Sequence, residues 1–357
     1  MKALILCAGK GTRLRPLTFT NAKPLIPIAN KPTIMYSLEK IKEAGIIDIG
    51  LVVSPENIDD FQKVLGDGSK FDLKITYIIQ EHPQGLAHAV KVSQNFIGSD
   101  NFVMYLGDNL INFDLKKFIE KFKQGSFESY ILLTPIDNPS NFGIAVIEDS
   151  KVVKVIEKPK DAPSNLAIIG VYIFTPKIFE AIDNISPSWR GELEITDAIQ
   201  WLIENSKNVG AYIIDGWWKD TGKPEDLIEA NRTILGELRD ISIEGDVRQD
   251  SSVQGKVKIG KNTKIINSVV RGPVIIGENT TINNAYIGPY TSIGDGVYIT
   301  SSEIENSIIL NDANIANISL RIDSSIIGEN ATLISAERKP YSIKLIVGDY
   351  SNIQIPK

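Results

Sequence analysis

The chain has 357 residues, of which 43% are hydrophobic and 23% are charged, and it carries a formal net charge of −6. This composition is typical of a soluble globular protein of roughly two domains, and it argues against a broadly cationic nucleic-acid binder. One cysteine and two histidines exclude an intrachain disulfide and zinc sites rich in Cys or His. No apolar run approaches the roughly 20 residues that cross a bilayer. We therefore expect a cytoplasmic protein with no membrane or nucleic-acid partner.

The first two thirds of the chain alternate apolar strand-like runs with amphipathic helical stretches. A helix is predicted over residues 33–44, because Pro32 stands near its start and Gly45 just past its end. Buried strands are predicted at residues 2–7, 49–54, 75–80 and 102–106. This order favours a mainly parallel sheet flanked by helices, in which ligands bind at the carboxyl ends of the strands. The loops after the first, third and fourth of these strands are therefore candidate site loops.

The loop after the first strand, residues 8–16, is rich in glycine. It matches neither the Walker pattern nor the dinucleotide fingerprint, because Leu14 stands where the latter needs its third glycine. Its backbone amides can still cradle phosphate. Arg13 in this loop and Lys23, which is followed by Pro24, can together neutralise a triphosphate.

The loop that begins at Gln80 has the residue types of a base-binding loop. The Gln80 amide offers a donor and an acceptor to a base edge, and Gly85 permits close approach of the backbone. His82 lies in this loop and His88 in the helix predicted to follow it. We interpret His88 as a packed or capping residue, and we assign a catalytic role to neither histidine.

Two aspartates are candidate ligands for a hard cation. Asp108 follows an apolar strand, and Asp220 follows a pair of tryptophans. Either residue alone is as often a turn or packing residue. If the two carboxylates meet in space, they form a magnesium site built from oxygen ligands.

After about residue 240 the helical period gives way to a hexapeptide repeat, which is typical of parallel β-helices. The aliphatic residues recur in steps of six, six and five, which predicts a coil of 17 residues. Three stacked columns are expected, namely Val253, Val270, Ile287 and Ile304; Ile259, Ile276, Ile293 and Leu310; and Ile265, Ile282 and Ile299. An ordinary β-sandwich is the alternative. The last stretch, residues 338–357, is expected to add a final strand that caps the helix.

Taken in order, the motifs of this chain resemble those of the sugar-1-phosphate nucleotidylyltransferases, and within that family the long form of the glucose-1-phosphate thymidylyltransferases. The motifs that carry the resemblance are residues 6–14, 23–24, 80–89, 106–109, 157–159, 190–197, 220–222 and the closing 348–351. The resemblance implies a Rossmann-like, GT-A-like mixed sheet flanked by helices over residues 1–237 and a left-handed parallel β-helix over residues 238–357. Ala8 stands where short-form members have glycine, which favours the long form.

The resemblance also implies a reaction and roles for individual residues. Glucose 1-phosphate would attack dTTP, and the products would be dTDP-glucose and pyrophosphate. Asp108 and Asp220 would hold Mg²⁺. The nucleotide would be bound by Leu6, Gly9, Gly11, Thr12, Arg13, Gln80, Pro83 and Gly85. The sugar phosphate would be bound by Asn109, Gly143, Glu157, Lys158, Ile168 and Tyr172. Arg13, Lys23 and Lys158 would supply the catalytic positive charge, and no general base is needed because a phosphate oxygen is already anionic.

Three other functions stay open from the sequence. Base choice rests on few hydrogen bonds, so transfer from UTP or another triphosphate is the first alternative. A tail that also transfers acetyl groups is the second, although residues 240–357 contain no histidine. A non-catalytic regulatory subunit that keeps the nucleotide pocket is the third. We also expect a homo-oligomer, either a trimer or a tetramer.

Overall fold

The computed structural model describes residues 1–149, 151–335, 344–345 and 347–354. By contacts between Cα atoms the chain forms two compact units. The first comprises Met1–Lys10, Asn21–Leu25 and Thr33–Asp220, and the second comprises Gly11–Thr20, Ile26–Pro32 and Thr221–Lys357. Two short segments near the N-terminus therefore belong to the same unit as the C-terminal part. Among the described helices, none combines the length and the apolar character needed to span a membrane.

Strands and helices alternate through the first part of the chain. In chain order they are β1 (Lys2–Leu6), β2 (Pro27–Ile28), β3 (Lys31–Pro32), α1 (Thr33–Glu43), β4 (Asp48–Val53), α2 (Ile58–Leu65), β5 (Lys74–Ile79), α3 (Leu86–Val92), α4 (Gln94–Ile97), β6 (Phe102–Leu106), β7 (Asn109–Ile111), α5 (Leu115–Gln124), β8 (Ser129–Pro135), β9 (Gly143–Glu148), β10 (Lys151–Glu157), β11 (Leu166–Phe174), α6 (Lys177–Asp183), α7 (Ile195–Glu204), β12 (Val209–Ile213), β13 (Trp218–Asp220) and α8 (Pro224–Gly236). Short 3-10 helices lie at Thr12–Leu14, Leu17–Phe19, Lys23–Leu25, Ser69–Phe71 and Pro139–Asn141.

The first unit is built on a mixed sheet. Its strands follow the order β10-β9-β11-β6-β1-β4-β5, and β8 pairs with β11 and β12. The neighbours β6, β1, β4 and β5 run parallel, whereas β11 is antiparallel to β6. The four strands and the helix predicted from the sequence are confirmed to within about one residue at each end.

Both faces of this sheet are covered by helices. Along β1, Ala3 and Ile5 pack into one apolar core, and Leu4 and Leu6 pack into the other. Successive side chains of a strand point to opposite faces, so a strand buried on both faces has a continuous apolar sequence. This is why residues 3–6 form an uninterrupted hydrophobic run.

The C-terminal part winds through parallel strands in three sheets, as in a left-handed β-helix. In chain order the strands are β14 (Ser242–Ile243), β15 (Asp246–Val247), β16 (Ser252–Gln254), β17 (Val257–Ile259), β18 (Lys264–Ile266), β19 (Val269–Arg271), β20 (Val274–Ile276), β21 (Thr281–Asn283), β22 (Tyr286–Ile287), β23 (Thr291–Ile293), β24 (Tyr298–Thr300), β25 (Glu303–Glu305), β26 (Ile308–Ile309), β27 (Asn314–Ala316), β28 (Ile322–Asp323), β29 (Ile326–Ile327) and β30 (Thr332–Ile334). The predicted β-helix is therefore confirmed, and the β-sandwich is excluded.

The predicted columns are confirmed for the first coils and are wrong at one position. Val253 pairs with Val270, and the pairing continues along the first column to Ile304. In the second column Ile293 pairs with Ile309 rather than with the predicted Leu310. The coil between them has 16 residues because the corner before Ile309 is one residue shorter than in earlier coils.

The next coil is longer and restores the stacking. Ile304 pairs with Ile322 and Ile309 with Ile327, each 18 residues further along the chain. The extra residues lie in the corner around Leu320, whose side chain is exposed. The final strand expected within residues 338–357 is absent from the described residues 344–345 and 347–354, and the rest of that prediction lies outside the described residues.

The recurring Gly-x-Asn-Thr corner has a physical explanation. Asn279 adopts a left-handed backbone with a φ of 55°, a conformation that asparagine tolerates well. A Cβ atom at Gly260 would lie 2.7 Å from the backbone of Gly277 in the next coil, so only glycine fits there. The Thr280 hydroxyl donates to the carbonyl of Gly294 (2.9 Å) and accepts from the amide of Val297 (3.2 Å). Each corner is thus hydrogen-bonded to the following coil.

Candidate active site

The candidate loops of the first unit lie on one edge of the sheet. Leu6 pairs with Leu106 on one side and with Val52 on the other, and Val53 pairs with Ile79. Because these strands are parallel, the loops after β1, β5 and β6 all leave at the carboxyl edge. These are the three strand ends at which the sequence predicts candidate site loops.

Lys23 brings the two candidate aspartates together. Its ammonium group is hydrogen-bonded to Asp108 Oδ2 and lies 3.7 Å from Asp220 Oδ1. Asp220 reaches this position because β13 pairs antiparallel with β7, which sets Asp220 opposite Asn109. Two carboxylates separated by more than 100 residues of sequence therefore contact a single ammonium group.

These two carboxylates fit a magnesium ion. Both are partly exposed, with 27% of the Asp108 side chain and 32% of the Asp220 side chain accessible. Within the described parts of the chain, no cluster of three or more Asp, Glu, His or Cys residues is arranged to hold a metal. Mg²⁺ commonly takes one or two carboxylates and completes its shell with water and substrate phosphates, so a pair of aspartates matches its preference.

Cys7 lies beneath this cluster. A Cβ atom at Gly107 would lie 2.3 Å from the Cys7 sulfur, so glycine is required at the turn that leads to Asp108. Burial, and secondarily the nearby Asp108 carboxylate, raise the pKa of the Cys7 thiol. The thiol therefore stays protonated and acts as a packing group below the site.

Asn109 is oriented by a tryptophan. Its Oδ1 accepts a hydrogen bond of 2.7 Å from the Trp218 indole N–H, and its Nδ2 donates to Asp108 Oδ1 at 3.4 Å. Gly170 has a φ of +71°, and a Cβ atom there would lie 2.5 Å from Asn109 Nδ2. The indole thus decides which end of the buried Asn109 amide faces Asp108.

Gln80 is buried at the start of the loop after β5. Its Nε2 donates to the carbonyl of Gly85 (3.3 Å) and approaches His88 Nδ1 to 2.9 Å. Burial, and secondarily His82, lower the pKa of His88 below its ordinary value, so the neutral ring can accept this hydrogen bond. Both amide hydrogens are directed within the loop, and Oε1 is the group that Gln80 can offer to a ligand. This agrees with the interpretation of His88 as a packed residue.

Gly85 is required by its own backbone and by a neighbouring segment. Its φ is +103°, and an added Cβ atom would lie 2.5 Å from the carbonyl oxygen of Leu193. The Ala87 amide donates to this same oxygen at 3.0 Å. The close approach that the glycine permits is therefore to the segment before α7.

The residues proposed for the sugar phosphate assemble around Glu157. Glu157 pairs with Gly143 across β9 and β10. A Cβ atom at Gly143 would lie 2.8 Å from Thr196 Cγ2, 3.2 Å from Glu157 Oε2 and 3.6 Å from Ile168 Cδ1. The Thr196 hydroxyl donates to Glu157 Oε2 at 3.1 Å. Gly143, Glu157 and Ile168 are thus brought together.

Two cations face the other oxygen of Glu157. Lys158 Nζ and Arg190 Nη1 each lie 3.6 Å from Glu157 Oε1. Arg190 also contacts Glu194 (3.3 Å) and Glu192 (3.0 Å), so this arginine is shared among three carboxylates. Lys158 has a left-handed backbone with a φ of 41° and stands immediately before a proline.

Charge and burial perturb the groups around Glu157. Burial, and secondarily the Glu157 carboxylate, raise the pKa of Tyr172 and the pKa of Asp197. The pKa of Glu194 is also raised, chiefly by burial. Tyr172 is in the core, with its ring stacked on Phe174 at 5.6 Å between centroids. Each of these shifts favours the protonated form of a group beside the candidate sugar pocket.

The remaining candidate residues are divided between the two units. In the first unit Leu6 is buried, whereas Gly9 and Pro83 are exposed. Gly11, Thr12 and Arg13 belong to the second unit, where the 3-10 helix Thr12–Leu14 follows Gly11 with its φ of 60°. Thr12 and Arg13 are exposed.

Three residues that orient the site were not assigned from the sequence. Trp218 stands two residues before Asp220, in a pair of tryptophans to which the sequence assigns no role. Thr196 and Arg190 lie in the motif of residues 190–197, which carries the family resemblance without assigning a role to either residue. Trp218 contacts Asn109, and Thr196 and Arg190 contact Glu157, in each case across a long separation in sequence. The only sequence signal for these three residues is that each lies in or beside a motif of the resemblance.

Comparison with known proteins identifies the family of this chain. The family model described as nucleotidyl transferase matches residues 2–237. A glucose-1-phosphate thymidylyltransferase of Streptomyces antibioticus is 46% identical over 357 residues, covering 99% of both chains. The low-salt glycan biosynthesis nucleotidyltransferase Agl11 of Haloferax volcanii is 45% identical over 359 residues, covering 99% of this chain and 100% of its own length.

A solved structure shares the fold. The chain assigned as a glucose-1-phosphate thymidylyltransferase from Bacillus anthracis, crystallised with sucrose, superposes with a TM-score of 0.63 at 34% identity. The match covers 68% of this chain and 98% of that one. With the family model spanning more than half of the residues and two relatives matching end to end, this chain belongs to the nucleotidyl transferase family.

Proposed function

We propose that this protein transfers a thymidylyl group from dTTP to glucose 1-phosphate, forming dTDP-glucose and pyrophosphate. The observation that carries the proposal is the contact of Lys23 with both Asp108 and Asp220 at the carboxyl edge of the sheet. The names of the Streptomyces and Bacillus anthracis proteins support these substrates.

The reaction is an in-line displacement at phosphorus. A phosphate oxygen of the sugar phosphate forms a bond to the α-phosphorus of the triphosphate, the bond from that phosphorus to the β-bridging oxygen breaks, and pyrophosphate leaves with the electron pair. The attacking oxygen is already anionic, so the site needs no general base. The obstacle is the approach of two anions, and positive charge together with orientation must lower it.

We assign the positive charge of the site to three side chains. Arg13 and Lys23 bind the triphosphate, and Lys158 binds the phosphate of the sugar. Asp108 and Asp220 would hold Mg²⁺, which when bound neutralises charge on the phosphate oxygens. Lys23 stays beside the two aspartates, where its ammonium compensates their negative charge.

Recognition of the base is assigned mainly to the loop around Gln80. Because the Gln80 amide nitrogen contacts Gly85 and His88, its oxygen is suited to accept from the N3–H of thymine or uracil. Cytosine has no hydrogen at that position. Leu6, Gly9, Gly11, Thr12 and Pro83 are the other residues to which we assign nucleotide binding. UTP is the alternative donor, because uracil presents the same N3–H group.

The sugar phosphate is assigned to the pocket around Glu157. Thr196 holds one oxygen of Glu157, which leaves the other to interact with cations and sugar hydroxyls. Gly143 and Ile168 contribute shape, Asn109 contributes an amide, and Tyr172 supports the pocket from the core. We further propose that the protein works as a trimer or tetramer.

A pyrophosphate-release assay with glucose 1-phosphate and each of dTTP, UTP, ATP and GTP tests the proposed function. We expect release to be fastest with dTTP and to depend on Mg²⁺. Faster release with UTP would move the assignment to the alternative donor. No release with any nucleotide would contradict an enzymatic function and favour a regulatory subunit.

The metal assignment is tested in the same assay. Asp108→Asn and Asp220→Asn should each lower kcat by about 100-fold or more, because each removes charge that stabilises the transition state. Asp114→Asn, in the exposed N-cap of α5, is the matched control and should retain wild-type activity. Wild-type rates at limiting Mg²⁺ in either site variant would remove that aspartate from the proposed metal site.

A further inference from the structure

Residues 348–351, near the C-terminal end of the chain, form a segment to which the proposed reaction assigns no role. Tyr350 in this segment contacts two side chains of residues 11–20. Its ring centroid lies 6.1 Å from that of Phe19, and the Arg15 guanidinium carbon lies 5.7 Å from the Tyr350 centroid. The same guanidinium carbon lies 4.8 Å from the Phe19 centroid. We call Arg15, Phe19 and Tyr350 the loop stack; all three belong to the second unit.

The loop stack connects two locally folded pieces of backbone. On one side, the 3-10 helices Thr12–Leu14 and Leu17–Phe19 flank Arg15, and the Thr18 hydroxyl donates to the carbonyl of Gly11 at 2.8 Å. On the other side, Tyr350 has a left-handed backbone with a φ of 62° in a turn that places Ser351 N 3.4 Å from Gly348 O.

A second contact links the same loop to the β-helix. A Cβ atom at Gly328, between β29 and β30, would lie 3.9 Å from Leu17 Cδ2, which is ordinary van der Waals distance. Residues 11–20 are therefore approached at two places by residues that follow position 320. The backbone of this loop is held by the C-terminal part of the chain as well as by its own turns.

Arg15 is held by aromatic faces in this arrangement. Its buried Nε makes no hydrogen bond within the described residues, whereas two rings lie within about 6 Å of its guanidinium, the range of a cation–π contact. Arg13, two residues earlier, is exposed and is the residue to which we assign the triphosphate. Anchoring at Arg15 and Phe19 restricts the backbone that carries Arg13.

We propose that Tyr350 is a positioning residue: through the loop stack it holds residues 11–20 in the conformation in which Arg13 binds the triphosphate. This inference rests on the proposed function, since that function assigns Arg13 its role. It gives the C-terminal segment a part in nucleotide binding. Because 69% of Tyr350 and 49% of Phe19 are exposed, the stack makes a modest contribution to nucleotide binding and little to stability.

Kinetics of Tyr350→Ala test the proposal, measured with glucose 1-phosphate and the nucleotide that the wild-type chain uses best. The KM for the nucleotide should rise by about 3- to 10-fold, while the KM for glucose 1-phosphate and the melting temperature stay at wild-type values. Tyr350→Phe keeps the ring and should restore the wild-type KM. The matched control is Tyr298→Ala, which removes another exposed tyrosine of the second unit from strand β24 and should change neither KM. An unchanged nucleotide KM in Tyr350→Ala, or an equal rise for both substrates, would overturn the inference.

Amide hydrogen exchange gives a readout that does not depend on activity. Peptides that cover residues 11–20 should exchange faster in Tyr350→Ala than in wild type, and at the wild-type rate in Tyr298→Ala. Unchanged exchange in this loop overturns the proposal whatever the kinetics are. Failure of the wild-type chain to release pyrophosphate with any nucleotide would instead defeat the proposed function, so the two failures are distinguishable.

Discussion

Single hydrogen bonds orient the polar side chains of the candidate site. Asn109 has its amide fixed by the Trp218 indole, and Glu157 has one oxygen held by Thr196. Each orienting group is a neutral donor, so it sets direction without adding charge. Neutral donors therefore orient Asn109 and one oxygen of Glu157, whereas the other oxygen of Glu157 faces the charged groups of Lys158 and Arg190.

Removing the indole N–H should misorient Asn109. In Trp218→Phe the aromatic contact with Phe142 can persist, since the two rings now meet edge to face at 5.2 Å, but Asn109 Oδ1 loses its donor. An unpaired buried acceptor costs about 1–3 kcal/mol, so we expect the KM for glucose 1-phosphate to rise by about 10-fold. Steady-state kinetics with Trp217→Phe as the matched control would check this. Equal KM values in the two variants would argue against the orienting role.

Asp197 should make stability depend on pH. Its pKa is raised above 3.8 by burial and by Glu157, so the folded chain binds this proton more tightly than the unfolded chain does. Folding stability therefore falls as pH rises from the unfolded-state pKa through the folded-state pKa. Asp197→Asn removes that loss, and the variant should gain stability relative to wild type between about pH 4 and about pH 7.

Urea unfolding across this pH range measures the effect. Asp59→Asn is the matched control. Asp59 and Asp197 each lie in the first turn of a helix, α2 and α7 respectively, but Asp59 is exposed and Asp197 is half-buried. A constant difference between Asp197→Asn and wild type at all pH values would show that the carboxyl does not titrate differently in the folded chain.

At this scale the sequence predicts some site residues and cannot predict their partners. Asp108 and Gln80 directly follow apolar strands, so the edge of the sheet where they lie follows from strand order. Trp218 and Thr196 have ordinary sequence surroundings, and their role depends on which distant side chain they meet. The roles assigned to Arg13 and Lys158 stay predictions until they are measured.

At the scale of secondary elements, the corners of the β-helix share a recurring side-chain hydrogen bond. At several corners a hydroxyl accepts from a backbone amide in the next coil, as Thr263 does from Thr280 N (3.0 Å) and Ser302 does from Ile318 N (3.1 Å). Both serine and threonine occupy these corners, so the hydroxyl is the shared requirement. These hydroxyls thereby pair backbone amides that an apolar side chain at the same corner would leave without a hydrogen bond.

Replacing one of these hydroxyls should destabilise the β-helix. Thr280→Val keeps the volume of the side chain but leaves the Gly294 carbonyl and the Val297 amide without this partner. We expect the free energy of unfolding to fall by about 1–3 kcal/mol. Denaturant unfolding of Thr280→Val and Thr280→Ser would measure this, and the serine variant should stay close to wild type. Equal losses in both variants would assign the effect to packing instead.

The elements were predicted well where their pattern is regular. Helix α1 and the strands of the parallel sheet follow from apolar period and from Pro and Gly at the boundaries. The β-helix columns follow from spacing until the coil shortens at Ile309. Beyond that point Ile308, Ile309 and Leu310 are consecutive apolar residues, so spacing alone cannot decide which of them joins the column.

At the scale of the whole molecule, the second unit combines parts of the chain that are distant in sequence. Asn231 in α8 is buried; its Oδ1 accepts from the amide of Ala29 (2.8 Å) and its Nδ2 donates to the carbonyl of Tyr290 (3.1 Å). Asn30 adds a bond from its Nδ2 to the carbonyl of Ile293 at 2.6 Å. The side-chain amides of Asn231 and Asn30 therefore join the β2–β3 hairpin, α8 and the β-helix within the second unit.

Loss of this amide should weaken the second unit. Asn231→Ala leaves a buried donor and a buried acceptor without this partner, and we expect the free energy of unfolding to fall by about 1–3 kcal/mol. The matched control is Asn184→Ala, whose exposed amide donates to the end of α6 and whose loss should cost less than about 0.5 kcal/mol. Urea unfolding compares them, and similar stability of both variants would contradict the joining role of Asn231.

This organisation was beyond the reach of sequence patterns. The change of repeat near residue 240 predicts a boundary along the chain, and a pattern of that kind divides a sequence at one point. Gly11–Thr20 and Ile26–Pro32 carry no repeat that marks them as partners of the C-terminal part. Only the contacts of residues such as Ala29 and Asn30 reveal it.

The interleaving of the two units sets an order of events during synthesis. Ala29 and Asn30 leave the ribosome early, yet their partners Asn231 and Ile293 lie 202 and 263 residues further along the chain. At roughly 5–20 residues per second, the N-terminal hairpin waits at least about ten seconds for these partners. The β2–β3 hairpin therefore reaches its final contacts only after part of the β-helix has been synthesised, and on a ribosome stalled before the β-helix the hydrogen bond from Asn30 to Ile293 cannot yet form.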